Sequence, residues 1–224
     1  MTKAFIREIF TSIQGEGPYV GERQVFVRFC GCNLNCKYCD TDFEVSKSKE
    51  FTPKELLKEV CKVGDRPTVS LTGGEPLLSV EFLREFLPLA KDFGAKIYLE
   101  TNATLADNLE KVIDFVDIIS ADIKLESATG EKIPLVVFDK FFEVAKQKEL
   151  FAKIVFNEKI TEEEIFSAVE LAQKYDFPLI LQPEMSGDKF GVSVELCEQV
   201  FDSFLQKYRN VRLIPQVHKF LAVR

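Results

Sequence analysis

From Thr52 to Pro215 the chain alternates two hydrophobic rhythms, and this alternation limits the fold more than any other feature. Short apolar runs at 68–71, 96–99, 117–121, 152–156, 178–182 and 211–215 have the length of strands. Between them, at 80–92, 106–115, 135–148, 161–175 and 193–207, apolar residues recur every three or four positions, as on one face of a helix. Thr52-Pro53-Lys54-Glu55 opens a further helix to about Val63, with proline at the first helical position. Thr161 and Glu164 have the spacing of a capping box. Pro88 falls inside the 80–92 helix, where a proline can kink it. Ahead of this series stand a strand at Val25–Phe29 and a loosely alternating strand or extended arm over 4–13. About seven strands result, parallel wherever a helix separates them. The fold class is α/β, a parallel sheet covered by helices with right-handed crossovers.

Periodicity does not separate a barrel from an open doubly wound sheet, but polar residues help. Glu75, Glu100, Asp122, Lys124 and Gln182 all fall at or just after the C-terminal ends of strands, the edge on which barrel active sites are built. The segment 32–39, Cys-Asn-Leu-Asn-Cys-Lys-Tyr-Cys, reaches the same edge from the strand at Val25–Phe29. Three thiols spaced x3 and x2 could hold zinc, yet a closed zinc site takes four ligands, no second CxxC follows, and the one histidine, His218, is remote. Three thiolates suit a cubane iron–sulfur cluster with one iron left open for chemistry. Disulfides are the weakest reading for six cysteines in 224 residues. Cys61 and Cys197 fall on apolar helix faces as ordinary buried thiols, and Cys30 ends an apolar run beside the motif.

A chain of 224 residues with 46% hydrophobic content makes one globular domain, and no interdomain linker or internal repeat breaks it. A net charge of −7 argues against non-specific nucleic-acid binding. No run approaches membrane-spanning length and the N-terminus has no signal-like apolar segment, so the expectation is a reducing, cytoplasmic location.

Gln14-Gly-Glu16-Gly-Pro18 breaks regular structure and reads either as a turn or as an amide and a carboxylate carried where backbone approaches a ligand. Arg28 is the lone charge in its strand and either pairs structurally or meets a ligand. Thr72-Gly73-Gly74-Glu75-Pro76 is a strand-end turn whose glycines leave backbone groups accessible. Asp122 and Lys124 read equally as an ion pair or as ligand contacts, and His218 as a packed ring or a pocket residue.

The cysteine motif, with Tyr38 before its last cysteine, resembles that of the radical SAM superfamily. Such a resemblance implies a 4Fe–4S cluster on Cys32, Cys36 and Cys39 whose fourth iron binds S-adenosylmethionine. One electron then releases a 5′-deoxyadenosyl radical. Thr72–Pro76 resembles the superfamily's glycine-rich motif, which receives the methionine amino group. Ser12-Ile-Gln-Gly-Glu-Gly17, Phe26-Val-Arg28, Gly31-Cys-Asn-Leu34, Cys39-Asp-Thr41 and Pro215-Gln-Val-His-Lys219 together resemble 7-carboxy-7-deazaguanine synthases over essentially the whole chain. Relatives commonly have tryptophan where Tyr38 stands.

That resemblance implies a partial (β/α)6-type radical SAM barrel over 25–224 behind a substrate-binding extension at 1–24, assembled as a homodimer. It implies ring contraction of 6-carboxy-5,6,7,8-tetrahydropterin with loss of ammonia, fed by an external reductant of flavodoxin or ferredoxin type. The carried-over S-adenosylmethionine contacts are Tyr38, Gly73, Gly74, Glu75, Glu100, Asn102, Asp122, Lys124 and Gln182. Substrate contacts are Gln14, Glu16, Arg28, Thr72, Gly74 and His218, with Thr41 as the one protein ligand of Mg²⁺. Two rivals are a glycyl-radical activating enzyme, which shares CxxxCxxC and a strand-end Asp-x-Lys, and a non-catalytic zinc-binding module.

Overall fold

A computed structural model of the chain describes residues 2–39, 47–62, 64 and 67–223. Seven parallel strands form its frame: β2 (Arg23–Phe29), β4 (Thr68–Gly73), β5 (Lys96–Thr101), β6 (Ile118–Asp122), β7 (Glu149–Phe156), β8 (Leu179–Pro183) and β11 (Val211–Leu213). Two antiparallel strands, β1 (Ala4–Ile13) and β3 (Lys49–Phe51), extend the β2 edge, giving the order β11-β8-β7-β6-β5-β4-β2-β1-β3. Among the described residues the two end strands of that order, β11 and β3, do not pair, so the barrel is partial rather than closed.

The helices are α1 (Pro53–Cys61), α2 (Val80–Asp92), α3 (Ala106–Glu110), α4 (Glu126–Thr129), α5 (Leu135–Ala145), α6 (Glu162–Tyr175), α7 (Val194–Leu205) and α8 (Val217–Leu221). Capping boxes start α1 and α6, where the Thr52 and Thr161 hydroxyls accept from the amides of Glu55 and Glu164. Pro88 does not interrupt α2, which buries Phe82, Leu83, Phe86 and Leu87 on one face. Burying each such side chain contributes roughly 1.5–3 kcal/mol.

Alternation along the strands sorts the side chains onto two faces. Val25, Val27, Phe29, Val69, Leu71, Ile97, Leu99, Ile119, Ala121, Ile154 and Leu181 join the helices in the main core. The opposite residues face inward. At the lower end of that inner face Tyr98, Ile118, Phe151 and Ile180, with Tyr19 and Ile214 against them, form a separate apolar plug. Above the plug the inner row turns polar.

Several local expectations need correction. The 106–115 helix is α3 followed by a one-turn 3-10 segment, Ile113–Phe115, since adjacent β-branched Val112 and Ile113 favour helix poorly and the chain must turn back into β6. Residues 49–51, which the strand pattern does not include, form β3: Phe51, opposite Ala4, is buried while Lys49 and Glu50 stay in water. A small hairpin, β9 (Met185–Ser186) with β10 (Lys189–Phe190), was not visible as a pattern at all.

One irregularity in β1 matters for the site. Ile6 faces Phe29 but Glu8 faces Arg28, so one extra residue is accommodated between them as a bulge. Ile6 therefore lies on the core face, and Glu8 and Phe10 on the inner one.

Candidate active site

The inner face carries, in successive strands, Arg28, Thr72, Glu100, Asp122, Lys153 and Gln182, and all six line one cavity of about 610 Å³. Sheet register explains the row: Arg28 lies beside Thr72, Asp122 beside Lys153, and Val155 beside Gln182. Cys32, Cys36 and Cys39 line the same cavity, as do Gln14, Glu16, Tyr38, Gly73, Gly74, Asn102 and His218.

Backbone contacts hold the cysteine loop on the glycine turn. The Glu75 amide donates to the Gly31 carbonyl at 2.9 Å and the Gly74 amide to the Phe29 carbonyl at 3.0 Å. Gly73 has φ +112°, and a Cβ on Gly74 would lie 1.8 Å from the Gly31 oxygen, so neither position has room for a side chain. On the far side of the loop the Lys37 amide donates to the Thr129 carbonyl, and the Asn35 amide to Glu131.

The three thiols are free, and the Cys32 sulfur accepts from the Leu34 amide at 3.5 Å and from Asn102 Nδ2 at 3.7 Å. N–H donors aimed at a sulfur favour the charged thiolate that a cluster iron needs. Burial pushes the Cys36 thiol up to about 11, so the charge of a bound iron would be what favours its thiolate. Among the described residues no three His, Cys, Asp or Glu side chains converge on a point where one ion could sit. A cubane cluster places each thiolate on a different iron, so this arrangement of three facing thiols fits a cluster better than zinc. Cys30 does not line the cavity; its amide donates to the Phe5 carbonyl.

Glu75 lies elsewhere than the sequence suggests. Its side chain is fully buried behind the cavity wall, accepting from the Thr101 hydroxyl and from the amides of Leu77 and Asn102. Burial outweighs those donors and raises the carboxyl to about 7. Of this turn, Gly73 and Gly74 reach the cavity and the Glu75 side chain does not. Thr101 and Asn102 are thereby fixed, and the next residue, Ala103, is held at φ +58°.

Gln14 is 2% exposed with its amide already engaged: Oε1 accepts from the Glu16 amide, and Nε2 donates to Gln24 and, at 3.0 Å, to Glu100. The other Glu100 oxygen accepts from Thr72 at 2.9 Å. Glu16 is similarly taken up, by Gln216 Nε2 at 2.8 Å on one oxygen and Lys153 Nζ at 2.5 Å on the other. Burial alone would raise its pKa, but the Lys153 charge overrides this and holds the carboxyl well below the usual range. Gly15 and Gly17 let this arm lie flat, because a Cβ would meet His218 at one and the Phe151 ring at the other, each at 2.5 Å.

Arg28 Nε stands 3.3 Å from Glu8 without hydrogen-bond geometry, and its guanidinium lies 5.5 Å over the Phe10 ring. Gln182, 1% exposed, keeps an unpartnered Nε2 in the cavity wall, a donor that a bound acceptor would satisfy. Lys124 Nζ bridges Asp122 and the Tyr38 hydroxyl, both at 3.1 Å, which realises the ion pair and leaves the Tyr38 ring beside the cysteines. Thr41, the expected magnesium ligand, lies outside the described residues.

Lys153 and Gln216 were missed. A lysine in the otherwise apolar run Phe151-Ala-Lys-Ile-Val-Phe156 was the available signal for the first; the second lies within the Pro215–Lys219 segment that carries the resemblance, where only His218 was singled out.

Comparison with known proteins agrees with this geometry. Residues 26–196 match the radical SAM superfamily. The 7-carboxy-7-deazaguanine synthase of Geobacter sulfurreducens is 35% identical, over 98% of this chain and 97% of its own. That of Archaeoglobus fulgidus is also 35% identical, over 99% and 100%. In structure the chain resembles QueE from Escherichia coli, with a TM-score of 0.67 at 20% identity, covering 96% of this chain and 95% of that one. It also resembles TYW1 with a lysine-pyruvate adduct bound, with a TM-score of 0.55 at 15% identity over 81% and 72%. These two likenesses speak for the fold.

Proposed function

The chain belongs to the radical SAM superfamily and, within it, to the 7-carboxy-7-deazaguanine synthases, and on that premise we propose how its cavity serves the reaction. The protein converts 6-carboxy-5,6,7,8-tetrahydropterin to 7-carboxy-7-deazaguanine with loss of ammonia, on the way to queuosine and related 7-deazapurines. One observation carries this reading: a single cavity is lined both by the three-thiol loop and by the Gln14–Glu16 arm. The glycyl-radical and zinc alternatives gain nothing from the comparisons.

Cys32, Cys36 and Cys39 would hold a 4Fe–4S cluster, which with S-adenosylmethionine would supply the radical chemistry the reaction needs. The chain's own residues bind and orient. Gly73 and Gly74 would offer backbone to the methionine amino group, and Glu100 and Asn102, which line the same cavity, would bind its ribose. Asp122 and Lys124 would meet its carboxylate end, Tyr38 would add a flat ring, and the unpartnered Gln182 Nε2 would suit the adenine edge. Glu75 acts through Thr101 and Asn102 rather than by contact.

On the substrate side Arg28 takes the carboxylate, Thr72 and Gly74 border the ring, and Glu16 accepts from its donor edge. Gln14 holds Glu16 and Glu100 in place and reaches substrate only by releasing one of its present partners. His218, packed on Gly15, closes the mouth. Mg²⁺ held by Thr41, water and substrate oxygens belongs to this reading, as do a flavodoxin- or ferredoxin-type reductant, a homodimer and a cytoplasmic location. No helix among the described residues is long and apolar enough to cross a membrane.

The test is anaerobic incubation of reconstituted protein with the carboxytetrahydropterin, dithionite and S-adenosylmethionine, read by product mass. The reading expects 7-carboxy-7-deazaguanine with S-adenosylmethionine recovered; S-adenosylmethionine cleavage without any deazaguanine would overturn it.

A further inference from the structure

Lys153 projects from the middle of β7 onto the inner face, opposite Asp122 in the sheet register. Its side chain is 4% exposed, yet its Nζ stands 2.5 Å from Glu16 and 3.6 Å from Asp122. The other Asp122 oxygen takes Lys124, and Lys124 reaches Tyr38 in the cysteine loop. Four side chains of alternating charge thus run from the N-terminal arm to the cysteine loop: Glu16, Lys153, Asp122 and Lys124.

A buried ammonium is costly unless its partners surround it, and removing one partner leaves the other charged and unpaired. Lys153 meets that condition because Asp122 stands beside it in the sheet and the arm brings Glu16 into hydrogen-bond contact. Burial disfavours its charge, but the carboxylates of Asp122, Glu16 and Glu100 keep it firmly protonated. It therefore serves as a fixed cation and not as a proton donor. The ties of the arm's tip to the parallel strands include Gln14 to Gln24 and Glu100, Tyr19 to Glu149, Gly17 packed on Phe151, and this pair, which is its one ion pair of two charged side chains among the described residues.

We propose that Lys153 is a positioning residue that fixes the depth and direction of the Glu16 carboxylate toward the substrate ring, while Asp122 remains with Lys124 on the S-adenosylmethionine side. The inference rests on the function proposed above and names a residue that the family motifs did not supply. Its consequence is asymmetric. Without Lys153 the substrate side should loosen, whereas Asp122 keeps its 3.1 Å partner and the other side holds.

The experiment uses reconstituted protein carrying Lys153→Met, Glu16→Gln, or both. Substrate KM, kcat, the ratio of 5′-deoxyadenosine released to product formed, and S-adenosylmethionine affinity by calorimetry are read together. Lys153→Met is expected to raise substrate KM by roughly tenfold or more and to raise the uncoupled ratio, with iron content and S-adenosylmethionine affinity within about twofold of the parent. The double variant should be no worse than the poorer single one, as for two residues acting as a unit. If Lys153→Met does not accumulate folded, Lys153→Arg, which keeps the cation but displaces it, should show the same one-sided loss. Equal losses of substrate and S-adenosylmethionine binding, or parent-like kinetics in the variant that folds, would overturn the proposal. Failure of the parent itself to make the deazaguanine would instead strike the functional reading.

Discussion

Gly74 lies so close to Gly31 that a Cβ placed on it would sit 1.8 Å from the Gly31 carbonyl oxygen. The obstacle is backbone on both sides, so no rotamer relieves it. The glycine turn after β4 and the cysteine loop after β2 are thus one unit, closed by the Glu75-to-Gly31 hydrogen bond. Gly74→Ala must push the cysteine loop away. We expect a loss of about 2–4 kcal/mol in stability of the unloaded protein and poor iron incorporation. Thermal melts and iron analysis after anaerobic reconstitution check this; parent-like iron content would show that the loop adapts freely.

Cysteine replacement separates ligands from neighbours. Cys32→Ala, Cys36→Ala and Cys39→Ala should each abolish the brown colour and turnover, while Cys30→Ala keeps both. Full iron stoichiometry in all three ligand variants would remove the cluster assignment.

Arg28 has a resident partner in Glu8, and this gives its test a control. If the guanidinium serves the substrate carboxylate, Arg28→Lys should cost about 1–3 kcal/mol of transition-state stabilisation, because the planar fork is lost while the charge remains. Arg28→Ala should do worse, and both should raise uncoupled S-adenosylmethionine cleavage. Glu8→Gln should leave KM near the parent value. Parallel losses in Glu8→Gln and Arg28→Ala would make Arg28 a structural partner only.

Glu16 predicts a particular acid sensitivity. Its folded pKa is depressed below the unfolded value of ~4.3, so the unfolded chain binds the extra proton first as pH falls. The stability it contributes is fully present above that value and lost progressively below it. Denaturant unfolding of the unloaded protein should show Glu16→Gln less stable than the parent near neutrality, by about 1–3 kcal/mol, with the gap closing toward pH 3. A gap that does not change with pH would mean that the charge of Glu16 contributes nothing.

Glu75 runs the other way. Its folded pKa of about 7 exceeds the unfolded value, so the folded state holds its proton longer. Its contribution is greatest at low pH and is lost as pH rises from ~4.3 through 7. Unfolding titrations of the parent and Glu75→Gln should differ in slope across that interval; identical slopes would place the Glu75 proton outside this account.

The two periodicities made most of the fold legible, and they also placed the site. Because side chains alternate along a strand, Arg28, Thr72, Glu100 and Asp122 had to share the face opposite Val27, Leu71, Leu99 and Ala121. What stayed hidden was pairing at long range. Gln216 meets Glu16 across 200 positions of sequence, and Glu16 meets Lys153 across 137, distances at which no local pattern carries information. Glu75 misled for a related reason: its neighbours in sequence reach the cavity, but only the fold shows its carboxylate turned back onto Thr101 and Asn102. Gln14 looked like a free amide because sequence does not reveal that its acceptor and donor are already taken.

The bulge between Ile6 and Glu8 gives the N-terminal strand an arithmetic of odd and even. With the extra residue, Ile6 points to the helices and Glu8 and Phe10 to the cavity; were the same residues paired in regular register without the bulge, every later side chain of the strand would change sides. Glu8 would then enter the packed core and Ile9 would face Arg28's side of the sheet. Deleting the one extra residue would instead leave Ile6 and Glu8 adjacent on opposite faces, so the bulge is the point at which this strand can lose a residue and keep the wall of the site.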